Sequence, residues 1–131
     1  MSDPNEPLWI TVDQAVALHA RQLRRFGGAS GLRDRGMLHS AIERPINKWR
    51  YERADLAELA AAYAFGFAKN HAFVDGNKRM AFMTMMVFLH KNSVRFSPEP
   101  AHATSMILSL AAGEVSEDSL ARWIRDNWPS E

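Results

Sequence analysis

From Thr11 to Phe26, apolar side chains recur at Val12, Ala15, Val16, Leu18, Leu23 and Phe26, with polar residues between them. The spacing predicts an amphipathic helix, opened by the capping box Thr11-x-x-Gln14 and stopped by Gly27 and Gly28. "GGASGLRD" then reads as a loop. A short helix is expected from Arg35 to Glu43, halted before Pro45, because a residue preceding proline is pushed out of helical angles. "RPINKWRYER" shows no clean period, and an irregular segment or small hairpin is expected there. Asp55-x-x-Glu58 is a second capping box and opens a long helix to about Asn70, whose "LAAAYAFGFA" suits close packing.

After a polar loop, the next helix is expected from Asn77 to Asn92. Its Met80, Ala81, Phe82, Met83, Met85, Met86, Val87, Phe88 and Leu89 place apolar groups around most of the circumference. It is therefore expected to be the most buried element, with the methionines as core filler. Ser97 and Pro98 are expected to begin a further helix ending near Gly113, and Ser116 to cap a last one through Trp128. Strand-like alternation is almost absent. The expected fold is all-α, a compact bundle of about six helices around a central buried one. It forms one domain over residues 1–131, with residues 1–9 as a flexible lead-in.

Composition narrows the function classes. A chain of 131 residues can bury one real core and is too short for two domains. With no cysteine there is neither a disulfide framework nor a thiolate metal site. "MSDPNEPLWI" lacks a signal-peptide pattern, and the apolar runs are too short to span a bilayer, so a soluble cytoplasmic protein is expected. The net charge of +1 hides an asymmetry. From Arg21 to Arg53 nine basic residues face three acidic ones, whereas from Ser97 onward six acidic residues face two basic ones. The basic third either attracts nucleic acid, a nucleotide or an acidic partner, or is a solvated helix face. No helix-turn-helix or base-stacking pattern accompanies it, and neither a nucleic-acid partner nor a membrane is expected.

The chemistry concentrates in "NHAFVDGNKR", residues 70–79. It precedes an apolar helix whose first turn leaves about four backbone N–H groups unpaired at the positive end of the helix dipole, a natural phosphate site. Gly76 lets an anion approach the main chain, Asn77 either caps the helix or donates to a phosphate oxygen, and Lys78 and Arg79 add full charge. Asp75 is a hard oxygen ligand of the kind a phosphate-bound magnesium needs, or else a plain turn residue. His71 either ends the preceding helix as a cap or serves as a general base, imidazole being the side chain that exchanges protons near neutral pH. Phe73 is expected to point inward as the loop's anchor.

"HAFVDGNKR" resembles the signature loop of the Fic/Doc family, His-x-Phe-x-Asp/Glu-Gly-Asn-Gly/Lys-Arg. The likeness runs from about Ile10 to Asn127 and includes "ALHARQLRRFGGASGLRD" and "AAGEVSEDSLARWIRDN". It implies transfer of a phosphate-containing group from a nucleotide to a protein hydroxyl. His71 would take the hydroxyl proton, Asp75 would hold Mg2+, and Gly76, Asn77, Lys78 and Arg79 would cradle the phosphates of ATP. In AMP-transferring members the pattern continues Gly-Arg-x-x-Arg, whereas here Lys78 replaces the glycine and Phe82 the last arginine. The Lys-Arg version resembles the Doc-type (death-on-curing) toxin branch. That branch implies γ-phosphate transfer to a Ser/Thr hydroxyl of the translation machinery, with elongation factor Tu as leading target and a Phd-type antitoxin as partner. AMP transfer and a non-catalytic nucleotide- or partner-binding module are the alternatives. "RPINKWRYER" is either a docking segment or solvated surface, and Arg24 and Arg25 are further candidates to reach the nucleotide. His19, His39, His90 and His102 match no catalytic position and are expected to be structural or exposed.

Overall fold

The computed structural model describes residues 3–130, which form six α-helices and no strand. They are α1 (Val12–Phe26), α2 (Arg35–Glu52), α3 (Leu56–Asn70), α4 (Asn77–Lys91), α5 (Pro100–Ala111) and α6 (Glu117–Asp126). The all-helical bundle expected from the patterning is the one observed. Both expected capping boxes form, at Thr11 and Gln14 and at Asp55 and Glu58.

The most buried element is α3, not α4. Ten of its residues are buried, from Ala57 to Ala68, and it packs against α2, α4, α5 and α6. Its alanines and Gly66 let four neighbours approach from different sides. In α4 only Met80, Ala81, Thr84, Met85, Phe88 and Leu89 are buried, while Phe82, Met83, Met86 and Val87 are half-exposed. Bulky apolar side chains lie all round α4, but it does not have packing neighbours all round.

The stretch around Pro45 corrects a second expectation. Instead of stopping at Glu43, α2 runs without a break through Pro45 to Glu52, so "RPINKWRYER" is helical nearly to its end. Leu38, Ala41, Ile42 and Pro45 are buried, and Ile46 and Trp49 pack on the same core, a stripe at helical spacing. That burial outweighs the one hydrogen bond the proline cannot donate. The helix ends at Arg53, left-handed at φ 50°, whose N–H bonds to the Trp49 carbonyl. Two other boundaries move as well. Glu99 caps α5, its carboxylate accepting from the Ala101 and His102 N–H groups, and α6 stops at Asp126, before Trp128.

Of the expected lead-in, residues 1–2 lie outside the described chain, and its far end is tied to the core. The Leu8 N–H donates to Asn92 Oδ1 at 2.8 Å, and Trp9 stacks on Phe88 with ring centroids 5.9 Å apart. Just beyond, the Ile10 N–H donates to the buried Tyr63 hydroxyl at 2.9 Å. Burial pushes that phenol up to about 12, against the opposing pull of the hydrogen bond.

Candidate active site

The site lies where α3 ends and α4 begins. His71 is the C-cap of α3, at φ 50° and ψ 50°, a left-handed conformation that disfavours a side chain by about 1–2 kcal/mol. The loop after α1 holds it there. Arg33 donates through Nε to the His71 carbonyl and through Nη2 to the Asn70 carbonyl at 3.0 Å. The Arg33 and Asp34 N–H groups both donate to the Ala72 carbonyl, at 2.7 and 3.0 Å, and the Val74 N–H to the Gly31 carbonyl at 3.0 Å. Leu32 and Phe73 form a single antiparallel bridge between the two loops.

Beyond His71 the chain turns inward at Phe73, which is buried as expected. Its ring stacks on His19 at 3.8 Å between centroids, with the planes 10° apart. His19, 4% exposed, reaches on with Nε2 to the Asp75 carbonyl at 2.8 Å. A carbonyl can only accept, so His19 carries its proton on Nε2. This histidine is structural, as expected, but its place under the loop was not foreseen.

Asn77 closes the turn. Its side-chain oxygen accepts from the Phe73 N–H at 3.1 Å and its amide donates to the Phe73 carbonyl at 2.9 Å. It is therefore not the cap of α4. That position falls to Gly76, left-handed at φ 79°, and no side chain caps the helix. The first-turn N–H groups thus have no side-chain acceptor among the described residues, which is the condition for an anion to dock there.

Asp75 is exposed, with its carboxylate oriented by two backbone donors, Ala29 N–H on Oδ2 at 3.2 Å and Gly76 N–H on Oδ1 at 2.8 Å. Each oxygen retains a lone pair. No cluster of three or more metal-ligating side chains occurs among the described residues, so a cage made wholly of protein is not the arrangement here. A single presented carboxylate does fit magnesium, which takes one or two carboxylates and completes its shell from phosphates and water.

The six candidate residues His71, Asp75, Gly76, Asn77, Lys78 and Arg79, with Val74, line one cleft of about 410 Å3. The His71 imidazole is exposed and makes no hydrogen bond among the described residues. Arg79 lies over the exposed Phe26 ring, 4.0 Å from its centroid, an aromatic rest that the sequence reading missed. Arg24 and Arg25 do not line the cleft, and Arg25 instead sits 5.5 Å from the same ring. A larger hollow of about 610 Å3 runs along the outer face of α2, but its cations Arg44 and Lys48 are both paired to Glu117.

These residues bring a proton acceptor, a hard oxygen ligand, two cations and an open helix end together, which suits transfer from a polyphosphate. Residues 9–89 match the sequence pattern of the Fic/DOC family. "Protein kinase doc" of Escherichia phage P1 is 36% identical over 119 residues, covering 88% of this chain and 92% of that protein. "Toxin Doc" of Mycolicibacterium smegmatis is 36% identical over 102 residues, covering 73% of this chain and 77% of that protein. With a six-helix fold and a match over most of its length, this chain belongs to the Fic/DOC family.

Proposed function

We propose that this protein is a Doc-like toxin that transfers the γ-phosphate of ATP to a serine or threonine hydroxyl of a translation factor, elongation factor Tu being the leading target. The observation that carries the reading is the uncapped first turn of α4, opening into the same cleft as His71, Asp75, Lys78 and Arg79. His71 accepts the proton of the incoming hydroxyl. The hydroxyl oxygen bonds to the γ-phosphorus, the bond from that phosphorus to the β,γ-bridging oxygen breaks, and ADP leaves. The α4 N–H groups with Lys78 and Arg79 hold the phosphates and offset their charge, which is most of what phosphoryl transfer needs. Asp75 would hold Mg2+, which when bound neutralises charge on the phosphate oxygens.

The groove that adjoins the cleft supports transfer of the terminal phosphate. Lys78 and Arg79 also border a groove of about 340 Å3 between α4 and α5, walled by Phe82, Pro100, Thr104, Ile107 and Leu108. Its walls are mainly apolar and suit a nucleoside. In this reading the nucleoside occupies that groove and the terminal phosphate reaches toward His71. An arginine at position 82 would put a charge in this groove, and Phe82 does not.

Growth arrest by such an enzyme calls for an antitoxin, and a Phd-type protein is the expected partner in the cytoplasm. No helix among the described residues is long and apolar enough to cross a membrane. The deciding experiment incubates the purified protein and magnesium with elongation factor Tu and ATP labelled on either the α- or the γ-phosphate. Label from the γ position is expected on the target, and its absence with His71→Ala, where loss of a general base removes about 100- to 10,000-fold in rate. Label from the α position would instead establish AMP transfer.

A further inference from the structure

We infer that Arg33 is a positioning residue for the transfer, fixing the direction in which His71 presents its imidazole. The inference rests on the reading of His71 as the base. Three consecutive carbonyls, those of Asn70, His71 and Ala72, end α3, and all three are met by one short segment. The Arg33 guanidinium takes the first two, and the Arg33 and Asp34 N–H groups take the third.

Other helices of this chain end differently. The cap N–H of α1 bonds back to Leu23 and that of α2 to Trp49, whereas no such bond closes α3 among the described residues. Because the His71 side chain has no hydrogen bond of its own, the backbone is what fixes its Cα–Cβ direction and so the arc its imidazole can sweep, and that backbone is in a conformation non-glycine residues avoid. Arg33 has no carboxylate partner among the described residues, so its charge is directed to the negative end of the helix dipole. A planar guanidinium can span two adjacent carbonyls at once, and a lysine ammonium cannot reproduce that fork. Arg33 does not line the cleft, so it acts on the histidine and not on the nucleotide.

The test is steady-state phosphorylation of the target by the full chain carrying Arg33→Ala or Arg33→Lys. For Arg33→Ala, kcat is expected to fall about 10- to 100-fold, the effect of a small misplacement of a reacting group. KM for ATP should stay within about twofold. Arg33→Lys should fall between the alanine variant and the native protein. Circular dichroism and calorimetric ATP affinity accompany the kinetics. Arg33→Ala that binds ATP normally but turns over slowly supports the inference, and a variant that loses ATP binding in proportion to turnover overturns it. Native kcat in either variant overturns it too. His71→Ala separates the two readings. If it keeps its turnover, the base assignment itself fails. If it is inactive while Arg33→Ala is fully active, only the role of Arg33 falls.

Discussion

Arg79 shows how a single charge is aimed in this protein. Its guanidinium rests on the Phe26 ring, which is 54% exposed and belongs to the last turn of α1. A cation over an exposed ring gains about 0.5–1 kcal/mol, enough to bias a long side chain toward one direction. Phe26→Leu is therefore expected to raise KM for ATP about two- to fivefold, consistent with that energy, while Phe26→Trp keeps it near native. Titrating ATP into the three proteins checks this, and equal KM values for Leu and Trp would count against it. Gly28 sits across the loop at φ +119°, and a Cβ there would stand 2.9 Å from Asp75 Oδ2. Gly28→Ala should displace the carboxylate and raise the magnesium concentration needed for half-maximal turnover. The types of these loop residues made them candidates in the sequence, because imidazole, carboxylate and cation each have few uses, and the fold brings them to one cleft. Their supports, His19, Phe26 and Arg33, were not legible, because each lies 37 or more residues along the chain from what it holds.

The helices themselves were mostly readable from caps and periodicity, and α2 shows where that reading stops. Its apolar stripe continues through Pro45 to Trp49, yet the proline's local penalty suggested a break. What decides the matter is α3, whose Gly66 receives α2 closely. A Cβ on Gly66 would stand 3.1 Å from Ala41 Cα and 3.5 Å from the Ala41 carbonyl oxygen. That carbonyl lies four residues before Pro45, whose missing N–H would otherwise have paired with it. Gly66→Ala gains about 1 kcal/mol in helix propensity but must push two helix backbones apart. Overpacking of this kind costs about 1–3 kcal/mol, so net destabilisation is expected, read as a lower urea midpoint. A raised midpoint would show that the contact has room.

Part of the uneven charge is offset when the chain closes on itself. Glu117, in the acidic C-terminal third, accepts Arg44 and Lys48 of the basic third, and Arg125 pairs with Asp55 and Glu58. Burial raises the Asp55 carboxyl, but hydrogen bonds from the Arg125 guanidinium and the Glu58 N–H outweigh it and hold the group below its usual range. Its contribution is thus present above the unfolded value and lost as pH falls through the lower folded one. The pair is largely exposed, so this amounts to at most about 1 kcal/mol. Tyr63 acts at the other extreme of pH. Below its ordinary value of 10.0 the phenol is neutral in both states and its contribution is complete. Above that value the unfolded chain ionises first, and stability falls until the folded group ionises at about 12. The full effect is on the order of 2–3 kcal/mol. Urea midpoints measured from pH 9 to about pH 11.5 should fall more steeply for the native protein than for Tyr63→Phe. Parallel curves would remove Tyr63 as the cause.

Sequence was sufficient for most of what depends on near neighbours along the chain. Helix caps, apolar periodicity and the residues at the mouth of α4 all act within a few positions of one another, and so they could be read in order. Which helix lies innermost, whether α2 survives its proline, and how the histidine and arginine of the cleft are aimed depend on contacts between segments tens of residues apart. Those contacts exist only once the bundle has packed, since it is packing that brings a distant ring, guanidinium or glycine within reach.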